Sequence, residues 1–356
     1  MSIFEDKTVV VTGGTGSLGK TLVRRLLGGE KGTPRKIIVF SRDEAKQHEM
    51  RLMFQNRSVT TDEVIYRNFM QRLEFRIGDV RDYRDVCSVL KNADIVINAA
   101  ALKQVPTCEY FPMQAVMTNV TGASNIVQAI TENDYPVQTV VGVSTDKACK
   151  PVNVMGMTKS LQEKILLSAN VLNKDTRFVC VRYGNVLASR GSVIPLFRNQ
   201  ILHGGPVTVT LPEMTRFLLS LNEAVDTVFE AVEWALPGDT VVPRAFSATV
   251  FNIARALIGD RDIEVCSTGI RPGEKMHEIL ISEEEAYYTI PHGDYFSIRS
   301  SLPELSGIQA QPKLLEKEFS SADTVLDLPG TIELLNKHGL LASSRSEYDV
   351  QSELLR

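Results

Sequence analysis

The strongest constraint on the fold is a glycine-rich turn between a strand and a helix near the start of the chain. Lys7–Val11 is rich in β-branched residues and predicts a short strand, and a helix follows to about Leu27. Glycines spaced by three let the backbone turn tightly, approach a pyrophosphate and pack helix against strand, and the first helix amides can then bind phosphate. A plain glycine turn is the alternative. We expect a dinucleotide here, bound by Gly13, Thr15, Gly16, Ser17, Leu18 and Gly19.

Segments with the composition of buried strands then alternate with helical patterns. The predicted strands are Lys36–Phe40, Leu73–Ile77, Asp94–Asn98, Val137–Val143 and Arg177–Arg182. The predicted helices between them include Glu44–Arg57, Tyr83–Lys91, Pro112–Thr131 and Asn153–Asn170. This alternation predicts an α/β fold with a Rossmann-like doubly wound parallel sheet.

The pattern changes from about Leu187, where strands become shorter and prolines recur. We expect a cofactor-binding domain over residues 1–186, with later segments returning to it. A smaller α/β substrate lobe would cover 187–300, and a C-terminal extension with a partly flexible tail would cover 301–356.

The second predicted strand ends in Ser41, Arg42 and Asp43. An acidic residue at this position would bind both ribose hydroxyls of NAD, whereas a serine followed by an arginine favours a 2′-phosphate. NADP is therefore the expected cofactor. Asp43 keeps NAD open, and Arg42 as a solvated loop charge is the alternative interpretation.

Further cofactor contacts are expected where the next strands end. Asp79 either meets the adenine or caps the helix that follows, and the sequence favours neither. Asn119 lies on a helix that otherwise packs, and a satisfied core asparagine is its alternative. Small residues after the fourth strand let the backbone lie close to a cofactor. The other expected contacts are Val80, Ala99, Ala100, Ala101, Lys103, Tyr183 and Asn185.

Reactive side chains gather after the fifth predicted strand. Ser144, Thr145, Asp146 and Lys147 follow Val137–Val143 directly, at the strand end where open α/β sheets place their ligands. A surface ion pair between the adjacent acid and lysine is the alternative. In the next helix Lys159 lies one turn after Met155, so the two side chains share a face.

Composition excludes several classes of function. The 356 residues carry a net charge of −4, which gives no electrostatic footprint for nucleic acid. No apolar run approaches the ~18 residues that span a bilayer. Cysteines 87, 108, 149, 180 and 266 lack the spacing of a metal site or disulfide framework, so we expect reduced thiols, no metal and a cytoplasmic protein.

The C-terminal half offers cations for a diphosphate. Arg190, Arg216 and Arg271 lie in loop-like settings, and guanidinium groups bind phosphate bidentately. Each could instead be a surface charge. With Asn185 they suit a diphosphate ligand.

Eight segments together resemble the extended short-chain dehydrogenase/reductases that act on nucleotide sugars. They are TGGTGSLG (12–19), FSRDE (40–44), GDVRD (78–82), the stretch 98–125, STDKACKPVNVMGMTK (144–159), RYGNVLASRGSV (182–193), MTRF (214–217) and RPGEKMHE (271–278). Within this family the chain is most similar to the UDP-N-acetylglucosamine 4,6-dehydratases of polysaccharide biosynthesis. It departs from the wider family at Met155, where a tyrosine would be the general base, although some dehydratases of this group also have methionine.

The resemblance implies a UDP-sugar substrate, an NADP cofactor and pairing of subunits through the helices at 112–131 and 153–170. It implies that Lys159 holds the nicotinamide ribose and that Thr145, Asp146 and Lys147 contribute to dehydration. The residues expected to contact the UDP-sugar are Lys103, Asn185, Arg190, Val193, Thr208, Arg216, Arg271 and Glu274.

The implied reaction is an internal redox cycle in which hydride leaves C4, the C5 proton and C6 hydroxyl are eliminated, and hydride returns to C6. Lys147 is our candidate base at C5, which would require a lowered pKa, and Asp146 is the candidate acid, which would require a raised one. Thr145 would relay the C4 hydroxyl proton. The base for C4 oxidation stays unassigned.

Three other functions stay open. A UDP-sugar epimerase, at C4 or C5, would use the same scaffold without eliminating the C6 hydroxyl. A 5,6-dehydratase would stop at the exocyclic alkene. A non-catalytic NADP-binding regulator is compatible with methionine at 155. The sequence leaves the stereochemistry at C5 and the oligomeric state open.

Overall fold

The computed structural model describes residues 2–55, 63–187, 192–306 and 315–341. The strands are β1 Thr8–Thr12, β2 Lys36–Ser41, β3 Leu73–Ile77, β4 Ile95–Asn98, β5 Thr139–Val143, β6 Arg177–Val181, β7 Asn185–Val186, β8 Val207–Val209, β9 Thr215–Leu219, β10 Thr240–Pro243, β11 Ser247–Thr249, β12 Val265–Ser267, β13 Ile279–Ile281, β14 Thr289–His292, β15 Tyr295–Ile298, β16 Phe319–Ser320 and β17 Val325–Leu326.

The α-helices are α1 Ser17–Gly28, α2 Glu44–Gln55, α3 Glu63–Arg72, α4 Tyr83–Leu90, α5 Val105–Tyr110, α6 Pro112–Ala115, α7 Gly122–Asn133, α8 Val154–Leu172, α9 Val193–Leu202, α10 Leu221–Trp234, α11 Val250–Ile258, α12 Pro303–Ser306 and α13 Leu328–Lys337. Short 3₁₀ turns cover Asp146–Ala148 and Glu285–Tyr288, and a π-helical segment covers Val116–Thr121.

One large mixed sheet organises the described residues, in the order β14-β15-β10-β6-β5-β4-β1-β2-β3. From β10 to β3 every pairing is parallel, and β14 and β15 form an antiparallel edge. The order from β3 to β6 is the doubly wound one, so the predicted fold class is confirmed. The carboxyl ends of β1, β2, β4 and β5 meet at one edge, where Thr12 lies beside both Phe40 and Asn98.

The alternation along β1 shows how the two layers of helices form. Val9 and Val11 belong to the core that includes Leu22 and Phe229, on the side of α1 and α10. Val10 belongs to the opposite core with Ile126 of α7, which α4 and α8 also face. Because successive side chains of a strand point to opposite faces, a strand buried on both faces needs a continuous apolar run.

The C-terminal half contributes to two places. Strands β10, β14 and β15 join the large sheet, as the sequence suggested for later segments. Strands β7, β9, β11 and β17 form a second sheet beside it, and α11 and α13 pack there in a third apolar core. Division of the chain at 186 and 300 into separate units stays a prediction, because these strands interleave.

Two helical regions differ from the sequence prediction. The helix expected over 112–131 is divided by the π-helical segment, which contains Asn119. A helix before β3, α3, was not predicted, because the sequence signal there was assigned to α2 alone. Asn68 and Phe69 of α3 are buried, and the Asn68 amide donates to the carbonyl of Leu27.

Candidate active site

The glycine turn forms a backbone cradle at the end of β1. Gly13 has a φ of 65°, and a Cβ there would lie 2.8 Å from the Cα of Ala100. A Cβ on Gly19 would lie 2.5 Å from Gly14, so this glycine allows α1 to approach the turn. Helix α1 begins after Gly16, which has no capping side chain of its own. The arrangement fits a dinucleotide, because its free amides face the space between the strand ends.

A cleft of about 260 Å³ continues from this cradle along the ends of β2 and β3. Gly13, Thr15, Ser41, Arg42, Asp79, Val80, Ala100 and Ala101 are among the residues that line it. The hydroxyls of Thr15 and Ser41 are 3.5 Å apart, so both strand ends contribute polar groups. The structure thus brings eight of the eighteen predicted cofactor residues together along this cleft.

Arg42 and Asp79 face each other across this cleft. One Arg42 nitrogen lies 3.7 Å from the Asp79 carboxylate, and the arginine side chain is 54% exposed. Burial raises the pKa of Asp79, but hydrogen bonds from Arg81 and the nearby Arg42 outweigh it, and the net shift is downward. The helix cap left open for Asp79 belongs instead to Asp82, whose carboxylate accepts from the amides of Arg84 and Asp85.

Asn119 holds the loop beside the cleft and is itself fully buried. Its amide oxygen accepts from the backbone N–H of Leu102, and its nitrogen donates to the Leu102 carbonyl and the Thr158 hydroxyl. The expected direct contact with a cofactor is therefore not met, because both ends of this amide are occupied. The alternative of a satisfied core asparagine is the one observed. Ala99 begins the loop, and Lys103 is exposed at its far end.

Lys159 is buried on α8, directly behind the end of β5. Its amine donates to the carbonyl of Val143 at 2.5 Å and to the Gln162 side chain at 2.7 Å. Burial among these neutral oxygens lowers its pKa to about 8. A lysine in this state can hold or release a proton near neutral pH.

Met155 does not project toward proton-transferring groups. Its side chain is buried in a small apolar cluster with Cys108 and Ala115. A thioether in such a cluster packs and cannot transfer a proton. Acid–base chemistry at this site must therefore use other residues.

Four charged side chains form a buried cluster after β5, which we call the acid–base cluster: Asp146, Lys147, Arg216 and Glu278. The Lys147 amine lies 3.0 Å from Asp146 Oδ1 and 3.0 Å from Glu278 Oε1. Arg216 Nε lies 3.8 Å from the same Glu278 oxygen. The Thr145 hydroxyl donates to Asp146 Oδ1 at 2.8 Å, and Lys147 also donates to Asn185 Oδ1 at 3.4 Å.

The charges of this cluster shift one another's proton affinities. Burial raises the pKa of Asp146, and Glu278 adds to the effect despite the opposing attraction of Lys147. Burial alone would lower the pKa of Lys147, but Asp146 and Glu278 outweigh it, and the net shift is upward. The raised pKa expected for the acid is thus observed. The lowered pKa expected for the Lys147 base is wrong, because two carboxylates flank its amine.

The expected substrate residues are placed very differently from one another. Arg216 is buried, and its guanidinium donates to the carbonyls of Thr215 and Met276. Arg271 is exposed, whereas Glu274 has a buried carboxylate oxygen without a hydrogen-bond partner among the described residues. Thr208 is engaged by Gln200 through both its hydroxyl and its amide.

Three other predicted site residues are Val193, Arg190 and Tyr183. Val193 begins α9 and is half-buried, and Arg190 lies outside the described residues. Tyr183 is buried in the main core, and burial raises the pKa of its hydroxyl. It therefore packs beneath the site.

Glu278 is the functional candidate that sequence reasoning missed. It precedes β13, and its side chain is only 3% exposed. The segment 271–278 was identified, but its charges suggested a phosphate site at the two ends of RPGE. A carboxylate directly before an apolar strand was the available signal, because such a position places it at a sheet edge.

The described residues contain neither a membrane-spanning helix nor a cluster of metal ligands. Their helices include none with the length and apolar character needed to cross a membrane. Nor do these parts of the chain contain a group of three or more His, Cys, Asp or Glu residues that could hold a metal ion.

Comparison with known proteins gives consistent neighbours. Residues 9–300 match a family model described as polysaccharide biosynthesis protein. UDP-glucose 4-epimerase from Rickettsia bellii (strain OSU 85-389) is 43% identical over 301 residues, which cover 83% of this chain and 84% of that protein. The UDP-glucose 4-epimerase of Rickettsia conorii is 44% identical, with the same coverage.

Solved structures extend the comparison. Pen from Bacillus thuringiensis superposes with a TM-score of 0.83 at 32% identity, covering 95% of this chain and 99% of Pen. DesIV, a dTDP-glucose 4,6-dehydratase from Streptomyces venezuelae solved with NAD, has a TM-score of 0.62 at 18% identity, covering 95% of this chain and 100% of DesIV. At that identity DesIV supports the fold alone.

Proposed function

Because the chain belongs to the polysaccharide biosynthesis protein family and is a nucleotide-sugar-modifying short-chain dehydrogenase/reductase, we propose that it is a UDP-N-acetylglucosamine 4,6-dehydratase. The product would be a UDP-2-acetamido-2,6-dideoxy-4-keto-hexose. The cofactor would be NADP, with NAD as the alternative.

The acid–base cluster is the observation that supports this proposal. An elimination across C5 and C6 needs a group that removes the C5 proton and a group that protonates the departing C6 oxygen. Asp146 and Lys147 supply both kinds of group within one hydrogen bond, at the strand end where the fold binds its ligands. A C4 epimerase has no such requirement at C5 and C6, and a C5 epimerase needs no acid at the C6 oxygen.

Ser41 and Arg42 in the cofactor cleft support our proposal of NADP over NAD. Bound NADP supplies a reversible hydride acceptor for the sugar. The amides of Ser17 and Leu18 at the start of α1 would hold its pyrophosphate, and Ser41 and Arg42 would hold its 2′-phosphate. Lys159 would orient the nicotinamide ribose. Because its amine now donates to Val143 and Gln162, it would have to redirect one of these hydrogen bonds.

The raised pKa of Lys147 means that its amine is charged in the resting enzyme, so it must lose a proton before it can act as a base. Protonated Asp146 with neutral Lys147 contains the same number of protons as ionised Asp146 with charged Lys147. The two forms differ only by one proton moved along the 3.0 Å contact between Asp146 Oδ1 and the Lys147 amine. We propose that the resting form carries this proton on Lys147, and that the form with acid Asp146 and base Lys147 acts in elimination.

Thr145 connects the same pair to the C4 hydroxyl. Its hydroxyl already donates to Asp146 Oδ1, so a proton taken from the sugar would pass toward that carboxylate. This relay would replace the tyrosine that position 155 lacks. It requires Asp146 to be ionised when oxidation begins, as in the resting form with its proton on Lys147. Once Asp146 holds the proton from the sugar, Lys147 must release its own proton to solvent before it can act as the base at C5.

A UDP-glucose 4-epimerase is the second candidate, favoured by the names of the Rickettsia relatives. It would use the C4 relay and leave the C6 hydroxyl in place. Incubation with UDP-N-acetylglucosamine and with UDP-glucose, followed by mass spectrometry, separates the two. Dehydration removes the mass of one water, and epimerisation leaves the mass unchanged.

NMR of the product formed in D₂O completes the test. A 4,6-dehydratase gives a C6 methyl group, a 4-ketone and deuterium at C5, whose configuration is then read directly. A 5,6-dehydratase gives an exocyclic alkene without the ketone. Binding of NADP and UDP-sugar without any product would indicate a regulator and contradict the proposal.

We also propose that the protein is a homo-oligomer that pairs through α5, α6 and α8. These helices pack together and expose large apolar side chains: Tyr110, Phe111, Met113, Met157 and Leu161. Met157→Asp with Leu161→Asp should give a monomer in analytical ultracentrifugation. Leu202→Asp, at an exposed leucine of α9, is the control.

A further inference from the structure

Glu278 occupies a position that its surroundings fix on several sides. Its backbone N–H donates to the Ser321 hydroxyl at 2.9 Å. Strand β13, which starts at the next residue, is held at Leu280 by the buried Arg182, whose guanidinium donates to the Leu280 carbonyl. A carboxylate on such a support has little freedom to move away from Lys147.

Arg182 also ties this strand to the helix that carries Lys159. Its guanidinium binds Glu163 of α8 through two nitrogens and Glu285 of the 3₁₀ turn through two contacts. Helix α8 and strand β13 are therefore joined by one saturated, buried cation. The distance between Glu278 and the acid–base pair is set by the fold itself.

The charged groups that face the Lys147 amine come from three elements. Asp146 lies on its own turn, Glu278 precedes β13, and Arg216 lies on β9. Asn185 adds a neutral contact to the amine, and the Thr145 hydroxyl accepts from the backbone N–H of Lys147. Only one oxygen of Glu278 is engaged, since its Oε2 is buried without a hydrogen-bond partner in the described parts of the chain.

This arrangement acts unequally on the two forms of the Asp146–Lys147 pair. With the proton on Lys147, the ammonium is attracted to Glu278 at 3.0 Å, whereas ionised Asp146 is repelled by the same carboxylate. With the proton on Asp146, both members of the pair are neutral, and the buried charge of Glu278 keeps Arg216 at 3.8 Å and the attraction of Lys275. Because Glu278 contacts the Lys147 amine directly, we expect its attraction to the ammonium to outweigh its repulsion of Asp146. A fixed negative charge beside a lysine favours its charged form.

We propose that Glu278 is a positioning residue that keeps the proton shared by Asp146 and Lys147 on Lys147 in the resting enzyme. The proposal rests on the use of this pair in the proposed function. Glu278 need not touch the substrate for this role. It determines which of the two neighbouring groups carries the proton before the reaction begins.

The proton on Lys147 can be followed without any substrate. Protein labelled at the lysine ε-carbon gives an NMR signal for Lys147, assigned by its absence in Lys147→Arg, and its shift with pH gives the pKa. In wild type we expect Lys147 to be still mostly charged at pH 10.5, where a free lysine is about half neutral. A wild-type pKa below that of free lysine would overturn the proposal, whatever the variants do.

Glu278→Gln tests the cause directly, since it keeps the size of the side chain and removes its charge. We expect the pKa of Lys147 to fall by about one unit or more, with Asp146 and Arg216 unchanged as neighbours. Glu283→Gln, at an exposed glutamate beyond β13, should leave it unchanged. An unshifted Lys147 in folded Glu278→Gln protein would show a purely structural role.

Turnover then distinguishes failure of this inference from failure of the proposed function. The pH profile of C5 proton exchange in D₂O should move to lower pH in Glu278→Gln by the same amount as the NMR titration. If the Lys147 titration shifts but the enzyme never dehydrates UDP-N-acetylglucosamine, the role of Glu278 is supported and the proposed dehydratase function is contradicted. If the Lys147 titration shifts in an active enzyme but the pH profile of C5 proton exchange does not, Glu278 does not affect the reaction, and its assigned role is contradicted.

Discussion

The surroundings of Lys147 and of Lys159 show two opposite ways of enclosing an amine. Lys147 lies between two carboxylates, and its pKa is raised because their attraction outweighs burial. Lys159 donates to two neutral oxygens, and burial lowers its pKa to about 8. Both lysines lie behind the end of β5, so the difference arises from partners and not from depth.

The same contrast extends to the arginines. Arg216 is buried near Glu278, whereas Arg42 and Arg271 are exposed at the rim. The buried guanidinium of Arg216 stays protonated and holds a fixed positive charge beside Glu278. The guanidinium of Arg42 lies 3.7 Å from Asp79 but is 54% exposed, so it remains accessible to an anionic ligand. We therefore expect Arg216 to act on the acid–base cluster and the exposed arginines to act in ligand binding.

Removal of the acid should give the largest effect. Asp146→Asn keeps the size of the side chain but cannot donate the proton, so dehydrated product should fall by about 10²–10⁴-fold. C4 oxidation should slow as well, because the relay through Thr145 ends on this carboxylate, so little absorbance should develop at the reduced-nicotinamide band after mixing with substrate. Asp82→Asn, which retains a capping side chain on α4, is the matched control. Full reduction of the cofactor without dehydrated product would show that the C4 proton does not pass to Asp146.

The two lysines should differ in how they affect stability with pH. The folded-state pKa of Lys159 is about 8 and its ordinary value is 10.5, so the cost of burying its charge is present below pH 8 and disappears by pH 10.5. The free energy of unfolding of wild type relative to Lys159→Met should therefore rise by about 3 kcal/mol over this range. Denaturant titrations at several pH values measure it.

Lys147→Met gives the opposing case. Its raised pKa provides stability that is present below the ordinary value and lost only above it, so the difference from wild type should be flat between pH 8 and 10.5. Lys164→Met, on the exposed face of α8, should also give a flat difference. Parallel curves for Lys147→Met and Lys159→Met would refute the contrast between the two lysines.

Arg42 tests the cations at the rim. Loss of its charged hydrogen bonds to a 2′-phosphate should weaken NADP by ~1.5–3 kcal/mol in Arg42→Ala, with a smaller effect on NAD. Calorimetry with each cofactor gives the two values. Arg76→Ala, at an exposed arginine of β3, is the control. Equal losses for both cofactors would remove the assignment of NADP.

Arg271 should show the smallest effect. If it holds the diphosphate equally in ground and transition states, Arg271→Ala raises KM roughly tenfold, ~1.4 kcal/mol, with kcat nearly unchanged. Arg255→Ala, at an exposed arginine of α11, controls for surface charge. Steady-state kinetics decide, and a lower kcat at constant KM would place Arg271 with the chemistry.

Sequence patterns predicted the parts of this site that depend on the backbone. The β1–glycine–α1 unit, the six strands and the cluster after β5 follow from periodicity and local chemistry. The role of Asn119 did not, because only the fold shows that its amide meets Leu102. The pKa direction of Lys147 failed for a similar reason. The second carboxylate beside its amine, Glu278, is far away in sequence. Neither a motif nor a residue spacing predicts this contact, because it is the fold topology that brings the two residues together.

The return of β10, β14 and β15 to the large sheet has a consequence for how the chain is made. Strand β6 acquires its outer neighbour only when residues 240–243 have been synthesised, and that neighbour acquires its own only with residues 295–298. Until then the edge of β6 exposes unpaired backbone groups, which invite pairing with other chains. Because long-range strand pairing forms slowly, we expect the nascent protein to need protection from aggregation until nearly three hundred residues have left the ribosome.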